Sequence, residues 1–79
     1  MSTSSATVDF KLIGEHVELN QLLKLAGICE SGGAGKRLVA EGKVTVDGAV
    51  ESRKTAKIRA GQIVECGGAR IVVKAAAAP

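Results

Sequence analysis

A chain of 79 residues with a net charge of +3 is enough for one small domain, and such a domain buries only about 60% of the surface its unfolded chain exposes. Apolar residues make up 46% of the chain but Phe10 is the only aromatic one, so the core must consist of Leu, Val, Ile and Ala, with almost no platform for stacking bases. No apolar run approaches the roughly 20 residues that span a bilayer, and no secretory leader is apparent. Cys29 and Cys66 do not have the spacing of a metal-binding pair. We therefore expect a cytoplasmic protein with reduced thiols, no metal and no cofactor.

Both ends of the chain are poor in large apolar residues. Residues 1–7 are small and polar, and residues 75–79 (AAAAP) offer no apolar anchor. We therefore expect two flexible tails around a working domain of residues 8–74. At its start, residues 8–12 (VDFKL) alternate apolar and charged side chains, which predicts a short half-buried strand at the edge of a sheet.

Two helices follow in the predicted order. Four apolar residues lie at spacings of three and four, which places them on one stripe of a helix: Leu19, Leu22, Leu23 and Ala26. That helix should end at Gly27. Ser31 has the hydroxyl of an N-cap, so a second helix is expected from there to about Glu41, with Gly42 as its C-terminal stop.

The second helix should separate an apolar side from a basic one. At 100° per residue, Gly35, Leu38 and Val39 share one face, while Lys36, Arg37 and Ala40 point away from it. The sequence also places three glycines, Gly32, Gly33 and Gly35, in the first turn, where each costs up to about 1 kcal/mol relative to Ala. They serve either a tight turn with close helix packing or a site where bare backbone amides bind an anion.

The remaining chain is expected to form two hairpins joined by a basic loop. Val44 and Val46 precede the favoured two-residue turn Asp47-Gly48, which leads into Ala49 and Val50. The run from Arg53 to Arg59 has four cations and no acid, so we expect a loop rather than a buried strand. Residues 63–66 and 70–74 should pair across the turn Gly67-Gly68, with Val64 and Cys66 facing inward. The order strand, helix, helix, then four short strands predicts a single α+β domain with a mostly antiparallel sheet.

Positive charge is concentrated in one part of the chain. Between residues 36 and 59 there are seven basic residues and three acidic ones, whereas the rest of the chain has four basic and five acidic ones. Such a regional excess is typical of a surface that binds a polyanion.

The motifs from residue 17 to residue 73 resemble the RNA-binding domain named after ribosomal small-subunit protein S-four (S4), also called the αL motif. In that family a leucine-containing helix ends at glycine, a serine opens a basic second helix, and the segments G-x-V-x-V-[ND]-G and G-[DE]-x-[IV] follow. The corresponding segments here are GKVTVDG at residues 42–48 and GQIV at residues 61–64, after Gly27 and Ser31. The glycine-rich ESGGAGK and the later ESRKTAKI further resemble the small stand-alone YbcJ-like branch of the family.

Three positions differ from the usual family pattern. Gly32 stands where Arg is usual, Gln62 where an acid is usual, and Gly35 where Ala is favoured. The resemblance implies a non-catalytic module that binds structured RNA, with ribosomal RNA as the expected target, and a charge missing at Gly32 that the loop of residues 53–57 supplies. The RNA-binding residues expected on this basis are Ser31, Gly32, Gly33, Lys36, Arg37, Lys43, Arg53, Lys54, Lys57 and Arg59.

Other functions have weaker support in the sequence. His16 is the only histidine and neither cysteine has an evident activating partner, so we expect no enzyme. A protein-interaction adaptor, whose basic surface binds an acidic protein, is the main alternative. Double-stranded DNA is disfavoured because the glycines at the start of the second helix offer few side chains for reading bases. We expect a monomer that does not bind membranes.

Overall fold

The computed structural model describes residues 6–75, which form two helices and seven strands. The elements in chain order are β1 (Ala6–Leu12), β2 (Val17–Glu18), α1 (Leu19–Leu25), α2 (Gly32–Ala40), β3 (Val44–Val46), β4 (Ala49–Val50), β5 (Lys57–Ile58), β6 (Ile63–Cys66) and β7 (Ala69–Ala75). This is the predicted α+β domain, with two helices followed by a hairpin. Over the described residues, neither helix has the length and apolar character required to cross a membrane.

The main sheet has five strands in the order β1-β7-β6-β3-β4. Its first and last strands in sequence, β1 and β7, are parallel neighbours, and the other pairs are antiparallel, so the sheet is mostly antiparallel as predicted. β1 lies at the predicted edge, but its seven residues make it longer than expected. Ala6, Thr7 and Ala75, which we assigned to the tails, are strand residues, and the rest of both predicted tails lies outside the described residues.

The core lies between the helices and one face of this sheet. The predicted leucine stripe is confirmed, because Leu19, Leu22 and Leu23 are fully buried in the same cluster as the strand residues Val64 and Ile71. Each such side chain contributes about 1.5–3 kcal/mol through removal of its apolar surface from water. This burial determines which side of each helix remains exposed.

Both helices end at the predicted glycines, and α2 begins after the predicted N-cap residue Ser31. Gly27 follows the first helix in the left-handed region (φ 81°), and Gly42 follows the second with φ 76°. At the start of α2, the Ser31 hydroxyl oxygen accepts a hydrogen bond from the Ala34 amide at 3.1 Å. Side-chain capping of this kind satisfies one of the free amides of the first turn.

The hairpin between β3 and β4 is built on the predicted turn. Asp47 (φ 52°) and Gly48 (φ 87°) both have positive φ, as a type I′ turn requires. The Asp47 side chain also accepts a hydrogen bond from the Ile63 amide at 2.9 Å, which ties this turn to the start of β6. In the second hairpin Val64 is buried and Cys66 is half-buried against the core, in agreement with their predicted inward orientation.

The prediction of a plain basic loop over residues 53–59 is wrong in one respect. Lys57 and Ile58 form the short strand β5, which pairs with β2, itself not predicted. Ile58 is 1% exposed and Ala56 is 7% exposed, so the segment inserts apolar side chains into the core between outward cations. The burial of Ile58 and its pairing with Val17 override the unfavourable charge of the neighbouring residues.

Gly35 explains how closely the two helices approach each other. A Cβ atom at this position would lie 2.7 Å from the backbone oxygen of Asn20 on α1, which is too close for any side chain. At Gly33 a Cβ would meet only the Ser31 hydroxyl oxygen, at 3.8 Å. Close packing, one of the two roles left open by the sequence, therefore applies to Gly35 but not to Gly33.

We expect Gly35→Ala to destabilise the fold by about 1–2 kcal/mol, because the overlap with Asn20 outweighs the better helix propensity of Ala. Such a change lowers the melting temperature by roughly 4–16 °C in a domain of this size. Gly33→Ala is the matched control and should leave stability unchanged or raise it by up to about 1 kcal/mol. Thermal melts of both variants test this packing. A Gly35→Ala protein as stable as the parent would show that the helices are not held this closely.

Candidate functional site

The first turn of α1 fastens the basic segment that follows β4. The Leu19 amide donates to the carbonyl of Ala56 at 2.9 Å, and the Asn20 amide donates to the carbonyl of Lys54 at 3.1 Å. Glu18, the N-cap residue, makes no side-chain capping bond. The backbone of the basic segment therefore satisfies amides that a helix N-terminus leaves free, and its position is fixed relative to α1.

The same turn of α1 contacts the second helix from another side. Asn20 is 2% exposed, and its backbone lies against Gly35. The Asn20 side-chain nitrogen is near Gly32, where a Cβ atom would lie 3.4 Å from it. Its Oδ1 atom is buried with no hydrogen-bond partner in the described part of the chain. Asn20 thus contacts two basic segments, α2 (Gly32–Ala40) and residues 53–59. This role could not be predicted, because neither contact follows a local sequence motif.

The expected RNA-binding residues of α2 lie at its start and on its exposed side. Ser31 uses its hydroxyl for the helix cap, and its carbonyl accepts a hydrogen bond from the Cys29 thiol at 3.3 Å. Gly33 is exposed, and the side chains of Lys36 and Arg37 point to solvent as the helical periodicity predicted. Because Lys36 directly follows Gly35, it lies one residue from the contact with Asn20.

Two cations of the second basic segment, residues 53–59, lie at an open groove. Arg53, Thr55, Ala56 and Lys57 line this groove on the surface. Lys54 is also exposed, although its carbonyl is used to cap α1. The apolar side chains of the segment point inward and its cationic side chains point outward, so the cations are held on an ordered backbone.

Two of the seven cations in the predicted site have acidic partners. Lys43 lies 3.3 Å from the Glu41 carboxylate, and Arg53 lies 3.1 Å from that of Glu51. The other five form no ion pair with any residue between 6 and 75: Lys36, Arg37, Lys54, Lys57 and Arg59. Unpaired cations keep their full charge available for an anionic ligand.

The pair of Glu51 and Arg53 is the most extensive ion pair of the described residues. The carboxylate accepts hydrogen bonds from the Arg53 backbone amide at 2.9 Å, from Nε at 3.1 Å and from Nη2 at 3.3 Å. These bonds from Arg53 lower the pKa of Glu51 below its usual value. Glu51 was not among the residues predicted for the site, although its spacing of two residues from Arg53 was a visible signal.

Arg59 belongs to a network that accounts for the unusual Gln62. The Gln62 side-chain oxygen accepts a hydrogen bond from the Arg59 amide at 2.7 Å, while its nitrogen faces an Asp47 carboxylate oxygen at 3.5 Å. A carboxylate at position 62 could accept from Arg59 but would repel Asp47. The amide therefore suits both neighbours.

The sheet surface away from the helices has its charges arranged differently. Arg70 pairs with Glu65 at 3.0 Å, and Lys74 pairs with Asp9 at 3.6 Å. Both cations are on β7, on the side opposite the buried Ile71 and Val73. The cations of β7 on this surface are therefore paired with acids, whereas most cations of the segments around Asn20 are not.

The described residues hold no obvious reactive centre. Among them, no three His, Cys, Asp or Glu side chains are close enough together to bind a metal ion. His16 is exposed, and both cysteines are free thiols. Burial raises the pKa of the Cys66 thiol, and the nearby Cys29 acts in the same direction.

A family comparison assigns most of the chain to one domain type. Residues 10–74 match the sequence model of a family described as the S4 domain. This range spans both helices and all the strands of the main sheet except the first residues of β1 and the last residue of β7.

Individual relatives give the same result in sequence and in structure. The chain is 57% identical over 60 residues to YbcJ of Escherichia coli (strain K12), covering 76% of this chain and 86% of that protein. The YbcJ protein of Shigella flexneri matches with the same identity and coverage. A solution structure of YbcJ from E. coli, described as revealing an αL motif involved in RNA-binding, superposes with a TM-score of 0.63 at 47% identity and covers 94% of this chain and 92% of that one.

We expect Cys66 to react slowly with iodoacetamide at neutral pH, because its raised pKa reduces the fraction of reactive thiolate and burial limits access. Mass spectrometry of the folded protein and of the urea-unfolded protein, alkylated side by side, measures this difference. Equal rates at Cys66 in both states would contradict it.

A protein with Cys29→Ser and Cys66→Ala should still fold, with some loss of stability because both thiols pack against the core.

Proposed function

The chain belongs to the S4 domain family, and we propose that it is a non-catalytic RNA-binding protein that grips structured RNA, ribosomal RNA in particular, through a basic face. The basic face is defined as the residues expected from the sequence: Ser31, Gly32, Gly33, Lys36, Arg37, Lys43, Arg53, Lys54, Lys57 and Arg59. We further propose that the protein acts as a cytoplasmic monomer associated with ribosomes or their assembly.

One observation carries this proposal. The first turn of α1 contacts both basic segments. The backbone amide of Asn20 donates a hydrogen bond to the carbonyl of Lys54, and its backbone packs against Gly35. Cations from the two segments, 18 positions apart in sequence between Lys36 and Lys54, are thereby joined to one buried residue. An anionic backbone that contacts one segment would meet the other nearby.

The charge distribution supports RNA phosphates as the ligand of this face. Lys36, Arg37, Lys54 and Lys57 are exposed and have no acidic partner within residues 6–75, so binding them to phosphates breaks no internal ion pair. Neutralising phosphates releases their condensed counterions, which favours binding at moderate salt. On the opposite sheet surface, a phosphate bound at Arg70 or Lys74 would lie close to the carboxylate of Glu65 or Asp9, which repels it.

The available groups favour reading RNA shape over reading individual bases. Lys and Arg contact phosphates at any sequence, and Gly33 has room above its backbone for a close approach. The face contains no aromatic side chain on which an unpaired base could stack. Structured RNA, with its closely spaced phosphates, therefore fits this surface better than an extended single strand.

Crosslinking in cells followed by sequencing of the bound RNA tests the proposal most directly. We expect crosslinked RNA, enriched in ribosomal RNA, and loss of copurifying nucleic acid after RNase treatment. Recovery of an acidic protein without RNA would instead support the adaptor function. Crosslinked RNA without ribosomal enrichment would keep RNA binding and reject the proposed target.

Salt dependence measures the number of phosphates that the basic face neutralises. With about four to six contacts, log affinity for an RNA stem-loop should fall against log salt with a slope of roughly −3 to −5. Fluorescence anisotropy at a series of KCl concentrations gives this slope. An affinity that hardly changes with salt would contradict a grip on phosphates.

Neutralising cations of the basic face tests whether this surface, and not another part of the protein surface, binds RNA. Lys36→Gln with Arg37→Gln, or Lys54→Gln with Lys57→Gln, should weaken binding about tenfold and reduce the salt slope by about 1.5, with little sequence preference. The free energy of unfolding should change by less than about 0.5 kcal/mol because these side chains are exposed.

The double variant Arg70→Gln with Lys74→Gln is the matched control. It removes the same charge from the opposite sheet surface, and we expect it to bind nearly as well as the parent. Equal losses in all three variants would show that only net charge matters and that no particular face binds RNA.

A further inference from the structure

We propose that Glu51 is a positioning residue of the RNA-binding site, which holds the Arg53 guanidinium at the groove of Arg53, Thr55, Ala56 and Lys57 so that it binds a single phosphodiester group there. This inference rests on the proposed function, because it assigns a role within the same basic face. It concerns an acidic residue, which charge considerations alone would place outside any phosphate site.

The geometry fixes Arg53 on one side and leaves it available on the other. Glu51 contacts Nε and Nη2, which is the side-on arrangement of a guanidinium and a carboxylate. Nη1 takes no part in this pair, and the Arg53 side chain remains 78% exposed. A guanidinium has five donors, so those not used by Glu51 can bind a phosphate oxygen.

Glu51 is itself firmly held, as a positioning residue must be. Its backbone amide donates to the carbonyl of Val44 on β3 at 3.0 Å, and its side chain is only 18% exposed. Its carboxylate also accepts from the Arg53 backbone amide at 2.9 Å. The orientation of Arg53 is therefore fixed relative to the main sheet, because Glu51 binds both Arg53 and Val44 of β3.

The alternative role of Glu51 predicts an effect of opposite sign. A carboxylate near bound phosphates repels them, so its removal should tighten binding if charge alone matters. If Glu51 orders the flexible Arg53 side chain before RNA arrives, its removal should weaken binding because that order must then be created on binding. The direction of the change distinguishes the two roles.

Glu41 provides a matched control within the same chain. It also pairs with a cation of the proposed site, Lys43, but through a single contact at 3.3 Å between side chains that are 61% and 46% exposed. A loose pair of this kind does not fix the geometry of its cation. Removal of Glu41 should therefore show the charge effect alone.

The experiment compares Glu51→Ala and Glu41→Ala in binding to a fluorescein-labelled RNA stem-loop, with a thermal melt of each protein. We expect Glu51→Ala to weaken binding about fivefold although it makes the protein more positive, and Glu51→Gln to have an intermediate effect because one oxygen remains to accept from Arg53. Glu41→Ala should bind unchanged or up to about twofold tighter.

An Arg53→Gln background tests whether Glu51 acts through Arg53. In that background Glu51→Ala should no longer weaken binding, because there is no guanidinium left to orient. The same fivefold loss there would show that Glu51 only maintains the fold of the loop, and tighter binding of Glu51→Ala in the parent background would show that it merely repels RNA. Either result overturns the positioning role.

The outcome also separates this inference from the proposed function. If the parent protein binds the RNA and the Lys36, Arg37 variant weakens binding, the basic face stands whatever Glu51 does. If the parent protein binds no structured RNA, the proposed function itself fails.

Discussion

The architecture depends on the first turn of α1, and above all on the backbone of Asn20. Its amide is satisfied by the carbonyl of Lys54, and its own carbonyl and Cα lie against a glycine of α2 that leaves no room for a side chain. One buried turn therefore sets the distance to the second helix and the course of a segment more than thirty residues later. The core leucines of α1 supply the free energy that keeps this turn in place.

Elements with local signals were predictable from the sequence. The stripe of Leu19, Leu22 and Leu23, the cap at Ser31 and the turn at Asp47-Gly48 each follow from side-chain chemistry within a few residues, and the structure confirms them. The strands β2 and β5 were missed because each has only two residues, and their pairing joins Val17 to Ile58 across 41 positions. The alternation of buried Ala56, exposed Lys57 and buried Ile58 was a signal, but the surrounding cations obscured it.

The candidate site was predictable as a composition and not as a geometry. A regional excess of cations is visible in the sequence, and the helical periodicity correctly predicted that the side chains of Lys36 and Arg37 on α2 are exposed. The sequence did not show which cations have internal partners, and this distinguishes Arg53, held by Glu51, from Lys54 and Lys57. The sequence also left two roles open for the glycines of α2. The room around each glycine distinguishes these roles, since Gly35 is needed for close packing and Gly33 is not.

The parallel pairing of the first and last strands has a consequence for folding during synthesis. β1 leaves the ribosome before the other described elements, yet its only strand partner among them begins at Ala69, sixty-three positions later in the register. Contacts of such separation form late because the loop between them must first be closed. The two helices and the first hairpin can associate beforehand, since their contacts are local. β1 therefore stays an unpaired edge until β7 has been synthesised, and β7 completes the sheet by joining it.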